Sequence, residues 1–76
     1  MSKTLPQLKI VNRLHVLRAE QRITQEQLAK EVGATRATIV AIEGGNYNPS
    51  LELAFRIARY FKRDIHTIFS VEEGIE

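Results

Sequence analysis

The segment from Thr24 to Glu43, TQEQLAKEVGATRATIVAIE, constrains the fold more than any other part of this chain. Thr24 and Gln27 have the spacing of a capping box, in which a threonine hydroxyl accepts from a later backbone amide and a glutamine reaches back. Gly33 follows the last apolar residue of the helical period, where glycine ends a helix because it enters the left-handed conformation without a Cβ clash. The pattern therefore predicts a short helix that ends near Val32.

A second short helix follows directly. Thr35 has the position of an N-cap, and Ile39 and Ile42 recur with the helical period, so the helix should run to Glu43. Its outward face would carry one arginine and three small apolar residues: Arg36, Ala37, Val40 and Ala41. An exposed helix normally carries several charges on that face. The composition favours a face that enters a groove, and an unremarkable solvent-exposed face is the alternative.

The pattern of these two helices extends over most of the chain. The residues that define it are Gln25, Leu28, Ala29, Gly33, Thr35, Arg36, Ile39, Ile42, Glu43 and Gly45, with the segment from Tyr47 to Ala54 and then Ile57 and Ala58. In these residues the chain resembles the small stand-alone members of the Cro/C1-type (XRE) family of transcription regulators, over about residues 9 to 71. The resemblance implies an all-α, compact five-helix domain of the lambda-repressor-like type with a helix-turn-helix.

Length and composition limit the class of protein. A chain of 76 residues forms one small domain, and a domain of that size buries only about 60% of its unfolded surface, so pairing with a second copy would add stability. Without cysteine it has no disulfide framework and no thiolate metal site. No apolar run is long enough to span a membrane, and the start MSKTLPQLK lacks the apolar region of a signal peptide. We expect a cytoplasmic, nucleoid-associated protein.

The net charge of +2 hides an asymmetry along the chain. Glu72, Glu73 and Glu76 are three of the nine acidic residues, so residues 1–71 carry six acidic against all 11 basic side chains. A basic body favours a polyanionic partner, although a solvated surface with salt bridges would have the same composition. We divide the chain into a flexible arm (1–8), a Cro/C1-type DNA-binding domain (9–71) and an acidic tail (72–76).

Short segments near both ends have the composition of strands. Residues 9–11 contain two β-branched side chains, and residues 69–72 alternate between apolar and polar, so they could pair as a two-stranded sheet. Some members of the resembled family carry such a terminal pair. Between the first strand and the helix-turn-helix, Asn12 is expected to cap a first helix that runs to about Gln21.

The resemblance also implies an ion pair. In the family, a basic residue at the position of Arg18 pairs with the glutamate at the end of the recognition helix, which here is Glu43. Such a pair would tie the first helix to the third. We expect it to fix orientation more than to add stability, because a partly buried pair gains little net energy while loss of one partner is costly.

The last third of the chain has more apolar residues than one small core can hold. Ser50 should cap a fourth helix and Asp64 a short fifth one. The core residues of the fourth helix are predicted to be Leu51, Leu53, Ala54, Ile57, Ala58 and Phe61. The remaining apolar residues are predicted to form a dimer interface, and they are Phe55, Ile65, Ile68, Phe69 and Val71.

An α-helix fits the major groove of B-DNA, where its first residues reach the base edges. We expect Arg36 to contact a base, because its planar fork matches guanine O6 and N7; a phosphate contact or a solvated arginine is the alternative. The apolar base contacts, to thymine methyl groups, would be Ala37, Val40 and Ala41. The residues expected to contact phosphates are Gln25, Thr35, Thr38, Asn46, Tyr47 and Asn48.

Three positions depart from the usual family pattern. Gly44 stands where lysine is frequent, Asn46 stands where a basic residue is frequent, and Ala37 stands where a polar base-contacting residue is common. The predicted DNA surface is therefore poor in charge and in hydrogen-bond donors. Weaker binding, or binding that depends on the dimer and on DNA shape, would follow.

No pattern in the sequence indicates catalysis. His15 and His66 are far apart and have no cysteine or carboxylate at metal-ligand spacing, and Gly44 and Gly45 end a helix and are not part of a phosphate-binding loop. We expect no enzyme activity, no metal and no cofactor. The sequence predicts a homodimeric, sequence-specific regulator that binds a palindromic operator in double-stranded DNA. The alternative is a protein-interaction module, such as an antitoxin-like subunit, that binds a protein partner through its apolar C-terminal surface.

Overall fold

The structure of the protein is a computed structural model that describes residues 5–72. These residues form five helices and one pair of short strands. Residues 1–4 of the predicted arm and residues 73–76 of the predicted acidic tail lie outside it. The elements are β1 (Ile10–Asn12), α1 (Leu14–Gln21), α2 (Gln25–Val32), α3 (Arg36–Glu43), α4 (Leu51–Phe61), α5 (Ile65–Ile68) and β2 (Phe69–Val71). The predicted fold class, five helices with a terminal strand pair, is confirmed.

Short polar side chains begin four of the helices. In the capping box, Thr24 Oγ1 accepts from the Gln27 amide at 3.0 Å and Gln27 Oε1 accepts from the Thr24 amide at 2.7 Å. The hydroxyls of Thr35 and Ser50 and the carboxylate of Asp64 accept from backbone amides at the starts of α3, α4 and α5. Each cap satisfies an amide that helix geometry leaves without a partner, and each was expected from the sequence. The prediction for α1 is wrong: its cap position is Arg13, which makes no side-chain cap bond, and not Asn12.

The residues that follow the helices differ in how easily they adopt a left-handed backbone conformation. Gly33 ends α2 with φ of 74°, and Gly45 follows α3 with φ of 79°, which only glycine adopts freely. Arg22 after α1 and Lys62 after α4 take the same left-handed conformation with φ of 58° and 57°. A side chain with a Cβ is strained there. The end of α1 at Gln21 agrees with the prediction, although neither Arg22 nor Lys62 is a residue type that marks a helix end.

The two strands pair antiparallel and join the ends of the described chain. Ile10 faces Val71 and Asn12 faces Phe69 in the register, and the Glu72 amide donates to the carbonyl of residue 9 at 2.8 Å. The first strand covers residues 10–12 and not 9–11 as predicted. A three-residue strand has too few side chains for its alternation to fix its bounds.

One core holds the helices together. Its buried side chains come from all five helices: Leu14, Leu17, Leu28, Ala29, Val32, Ile39, Ile42, Ile57, Ala58, Phe61 and Ile68. No helix within the described range has both the length and the apolar character to cross a membrane.

Two predicted positions are wrong. Ile68, expected at a dimer interface, is 1% exposed and belongs to the core, because α5 turns its last side chain inward where the Arg13 amide donates to the Ile68 carbonyl at 3.0 Å. Leu51, expected in the core, is 72% exposed. It is the first residue of α4 and lies one helical turn before Phe55, also exposed, on a second apolar face of that helix.

Candidate functional site

The outward face of α3 is the first component of the site. Ile39 and Ile42 are buried on its inner side, whereas Arg36, Ala37 and Val40 are exposed and the fourth predicted base contact, Ala41, is half-buried. Arg36 is the first residue of the helix. The structure therefore brings the four residues together on one surface, with a single charged group at its amino-terminal end.

The cap of α3 already uses one of the predicted phosphate contacts. Thr35 Oγ1 accepts from the Thr38 amide at 3.2 Å and lies 3.0 Å from Thr38 Oγ1. The two hydroxyls form one hydrogen-bonded unit at the helix start. The partial positive charge of a helix amino terminus favours an anion at such a place.

Gln25 is placed differently from what the sequence suggested. Its side-chain Nε2 donates to Glu43 Oε1 at 3.1 Å, so the amide group is engaged at the end of α3. Its backbone amide is at the first position of α2, where a helix leaves the N–H without an internal acceptor. The backbone of Gln25, more than its side chain, is the group that can meet a phosphate.

The predicted ion pair between α1 and α3 is present. Arg18 Nε donates to Glu43 Oε2 at 2.6 Å and Nη2 donates to Oε1 at 2.9 Å, so the contact is bidentate. Arg18 Nη1 also donates to the Ile23 carbonyl at 3.0 Å. With Gln25 as a third donor, Glu43 connects α1, α2 and α3.

The carboxylate of Glu43 is well stabilised in its charged form. Burial raises the pKa of Glu43, but hydrogen bonds from Arg18 and Gln25 and the charge of Arg18 outweigh burial and hold the pKa below its ordinary value. The hydrogen bond to Glu43 raises the pKa of Arg18. Both groups therefore remain charged at neutral pH.

The loop after α3 provides the other side of the site. The Gly45 amide donates to the Ile42 carbonyl at 3.0 Å and the Asn46 amide donates to the Ala41 carbonyl at 2.9 Å, which folds the loop back over the helix end. The predicted phosphate contacts Asn46, Tyr47 and Asn48 are all exposed on this loop.

An open groove between the starts of α3 and α4 adds one residue that the sequence did not single out for this site. Thr35, Thr38, Tyr47, Ser50 and Arg56 line it. The guanidinium of the last pairs with Glu52 at 2.6 Å, one helical turn earlier, in an exposed salt bridge. The helical period of α4 predicts that Arg56 faces outward, but it does not show that Arg56 lies opposite the turn between α2 and α3.

A second surface is apolar. Leu51 is 72%, Phe55 50% and Val71 38% exposed, and together with Ile65 and Phe69 they border one shallow depression. We call these five residues the apolar face. It contains four of the five side chains predicted for a dimer interface, with Leu51 in place of Ile68.

Several known proteins are similar to this chain. The family model described as Helix-turn-helix matches residues 14–68. A protein of Methanocaldococcus jannaschii, named as an uncharacterized HTH-type transcriptional regulator, is 52% identical over 62 residues, which cover 82% of this chain and 94% of that protein. A protein of Bacillus subtilis with the same kind of name is 44% identical over 62 residues, with the same coverage of 82% and 94%. Neither name is that of an enzyme, which agrees with the expectation from the sequence.

The fold has a counterpart among solved structures. A Bacteroides fragilis protein to which DNA binding is ascribed, known from a crystal structure, superposes with a TM-score of 0.71 at 26% identity, covering 80% of this chain and 98% of that one. The match of the family model to most of the chain, together with the two helices and turn at residues 25–43, leads to one conclusion. The chain belongs to the helix-turn-helix family, in its Cro/C1 (XRE) type.

Proposed function

We propose that the protein is a transcription regulator that binds double-stranded DNA sequence-specifically as a homodimer, with α3 in the major groove. The observation that carries the proposal is the outward face of α3, which presents Arg36 beside Ala37 and Val40 on a helix of a width that the groove accepts. The names of the relatives and of the Bacteroides fragilis protein support regulation and DNA binding.

Base contacts would come from few groups. Arg36 at the start of α3 would donate to O6 and N7 of a guanine, and the methyl groups of Ala37, Val40 and Ala41 would pack on thymine methyl groups. One bidentate contact discriminates against a wrong base by about 1–3 kcal/mol. A short recognition surface of this kind needs a second half-site to be selective.

Phosphate contacts would flank these residues on both sides. On one side are the backbone amide of Gln25 and the hydroxyls of Thr35 and Thr38; on the other is the loop from Asn46 to Asn48. Arg56, which lines the adjoining groove beside its partner Glu52, would add a donor. Such contacts fix register and orientation without specifying sequence.

The apolar face would hold two copies together. Leu51 and Phe55 are the most exposed of its side chains, and contiguous exposed apolar surface is typical of interaction sites. A two-fold dimer would place two copies of α3 in successive major grooves about 34 Å apart, on a palindromic operator. Association with the nucleoid follows from this proposal.

The test is selection of bound sequences from a random DNA pool at about 150 mM salt, where non-specific binding is weakened. We expect a two-fold symmetric motif with half-sites about one helical turn apart. Arg36→Ala should lose or relax part of that motif. Arg59→Ala removes the same charge from the exposed side of α4 and is the matched control, expected to select the wild-type motif.

An antitoxin-like module that binds another protein is the second candidate, and the exposed Leu51 and Phe55 favour it equally. In that case DNA binding would show no sequence preference, and the apolar face would be covered by a different protein. An unenriched pool would favour this second candidate. One motif shared by wild type and Arg36→Ala would remove Arg36 from the base contacts.

A further inference from the structure

The side chain of Asn12 connects three elements of the fold. Asn12 is the last residue of β1 and pairs with Phe69 of β2. Its Oδ1 accepts from the Leu14 amide at 3.1 Å, and its Nδ2 donates to the Ile42 carbonyl at 2.9 Å, across 30 residues of sequence. One amide group thus joins the terminal sheet, the start of α1 and the last turn of α3.

Both partners fix the orientation of this amide. A carbonyl such as that of Ile42 can only accept, and a backbone N–H such as that of Leu14 can only donate, so a rotated amide would lose both hydrogen bonds. The position requires a donor and an acceptor on one short side chain. Aspartate would supply only the acceptor. Serine can accept from the Leu14 amide but is too short to reach both partners.

The hydrogen bond from Asn12 Nδ2 to the Ile42 carbonyl lies at the carboxyl-terminal end of α3, opposite the end that Thr35 caps. The last carbonyls of a helix have no internal donor, and the Ile42 carbonyl receives the Gly45 amide at 3.0 Å in addition to Asn12. The pair of Arg18 and Glu43 restrains a side chain at this end. Asn12 restrains the main chain itself.

The terminal sheet that carries Asn12 also borders the apolar face. Ile10 of β1 and Phe69 and Val71 of β2 line the same depression as Phe55. The apolar face is therefore connected to the main chain of α3 through strand β1 and the hydrogen bond from Asn12 to the Ile42 carbonyl. A shift of the sheet would be transmitted to the residues that follow Ile42.

We propose that Asn12 is a positioning residue for the recognition helix: its Nδ2 bond to the Ile42 carbonyl sets the placement of α3 relative to the terminal sheet, and so the angle at which Arg36 meets a base. This inference rests on the proposed function. The competing role is a local turn before α1, formed by the Oδ1 bond to the Leu14 amide alone.

The Asn12→Ser variant separates the two roles, because serine can still accept from the Leu14 amide. Asn12→Ala removes both bonds. Ile57→Val is the matched control: it is uncharged, lies on the core side of α4 and lowers stability without removing a hydrogen bond of Asn12. All three variants keep the charge of the protein, so salt-dependent binding to phosphates is unaffected.

The first measurement needs no DNA. Amide hydrogen exchange of Gly44, Gly45 and Asn46 should be about 2- to 10-fold faster in Asn12→Ser than in wild type, the range that one net hydrogen bond represents. Ile57→Val, at equal overall stability, should leave the relative exchange of these three amides unchanged. Equal exchange in Asn12→Ser and Ile57→Val would overturn the proposal.

The second measurement compares the dissociation constants for the selected operator and for a scrambled duplex. Asn12→Ser should bind the operator about 2- to 10-fold more weakly and the scrambled duplex as wild type does. Faster exchange with unchanged operator affinity would also overturn the positioning role. If wild type itself does not distinguish the two duplexes, the proposed function fails, and exchange alone decides whether Asn12 holds the end of α3.

Discussion

Arg18 and Glu43, 25 residues apart in the sequence, form a bidentate contact with Nε 2.6 Å from Oε2 and Nη2 2.9 Å from Oε1. The Glu43 side chain is only 9% exposed, and its carboxylate receives a third hydrogen bond from Gln25. Because the three donors come from α1 and α2, the end of α3 is fixed against both preceding helices. The contact orients α3 through a charge that must remain ionised.

The Glu43→Gln variant should therefore be less stable at neutral pH, by about 1.5–3 kcal/mol, the range for a hydrogen bond to a charged group. The folded pKa of Glu43 lies below its ordinary value, and the unfolded chain has a value of about 4.3. The unfolded state takes up the proton first as pH falls, so this stability is present above about pH 4.3 and is lost through the lower folded pKa.

Urea unfolding from about pH 7 to about pH 3 measures this difference. The gap between wild type and Glu43→Gln should narrow toward the acid end of the range. Glu52→Gln is the control, since its salt bridge with Arg56 is exposed and is expected to contribute at most about 1 kcal/mol. A constant gap across the whole range would contradict the assignment to Glu43.

The double variant Leu51→Ser with Phe55→Ser should dissociate the proposed dimer without unfolding the chain, because both side chains are largely exposed. Full burial of such a side chain is worth about 1.5–3 kcal/mol, and the proposed dimer would bury four of them, together about 6 kcal/mol or more. If association realises only a third of that, the loss is about 2 kcal/mol, so the dimer dissociation constant should rise by at least about 30-fold. Sedimentation over a range of concentrations measures this constant. Leu5→Ser removes an equally exposed leucine outside the apolar face and should change nothing; a wild-type monomer at every concentration would refute the dimer.

Lys62→Gly should stabilise the protein. Lys62 follows α4 with φ of 57°, a conformation that costs a residue with a Cβ about 1–2 kcal/mol and costs glycine nothing. Part of that gain is offset, because glycine increases the conformational entropy of the unfolded chain. We expect a net gain of about 0.5–1 kcal/mol as a higher urea midpoint with unchanged slope. Lys62→Ala removes the charge but keeps the Cβ, so a gain of the same size in that variant would mean that charge, not backbone strain, is responsible.

Local features of this fold could be predicted from the sequence, because they depend on residues a few positions apart. The capping box of Thr24 and Gln27 and the glycine after Val32 each determine their own hydrogen bonds. The ion pair of Arg18 and Glu43 was predicted by resemblance and not by spacing. The assignment of DNA contacts to Arg36 and its neighbours remains a prediction.

The features that could not be predicted depend on packing between distant elements. In α4, the helical period gives two neighbouring apolar stripes and does not tell which one meets the core, so Leu51 was placed inside. Ile68 lies on α5, whose four residues make a single turn that is too short for a period to show which side chain faces the core. The bond from Asn12 to Ile42 spans 30 residues and involves a backbone carbonyl, which leaves no signal in residue types.

Arg36→Lys distinguishes a base contact from a phosphate contact. Lysine keeps the charge but lacks the planar fork, so a phosphate contact would survive the change while a bidentate contact to guanine O6 and N7 would not. If Arg36 contacts a base, Arg36→Lys should weaken operator binding by about 1–3 kcal/mol and relax the preference at one position in each half-site. Its affinity for a scrambled duplex and the slope of affinity against salt should match those of wild type, because the number of neutralised phosphates is unchanged.

Fluorescence anisotropy titrations of both duplexes at several salt concentrations measure these quantities. If Arg36→Lys binds the operator as well as wild type while Arg36→Ala lowers the salt slope by about one unit, Arg36 neutralises a phosphate and the base contact must come from elsewhere on α3.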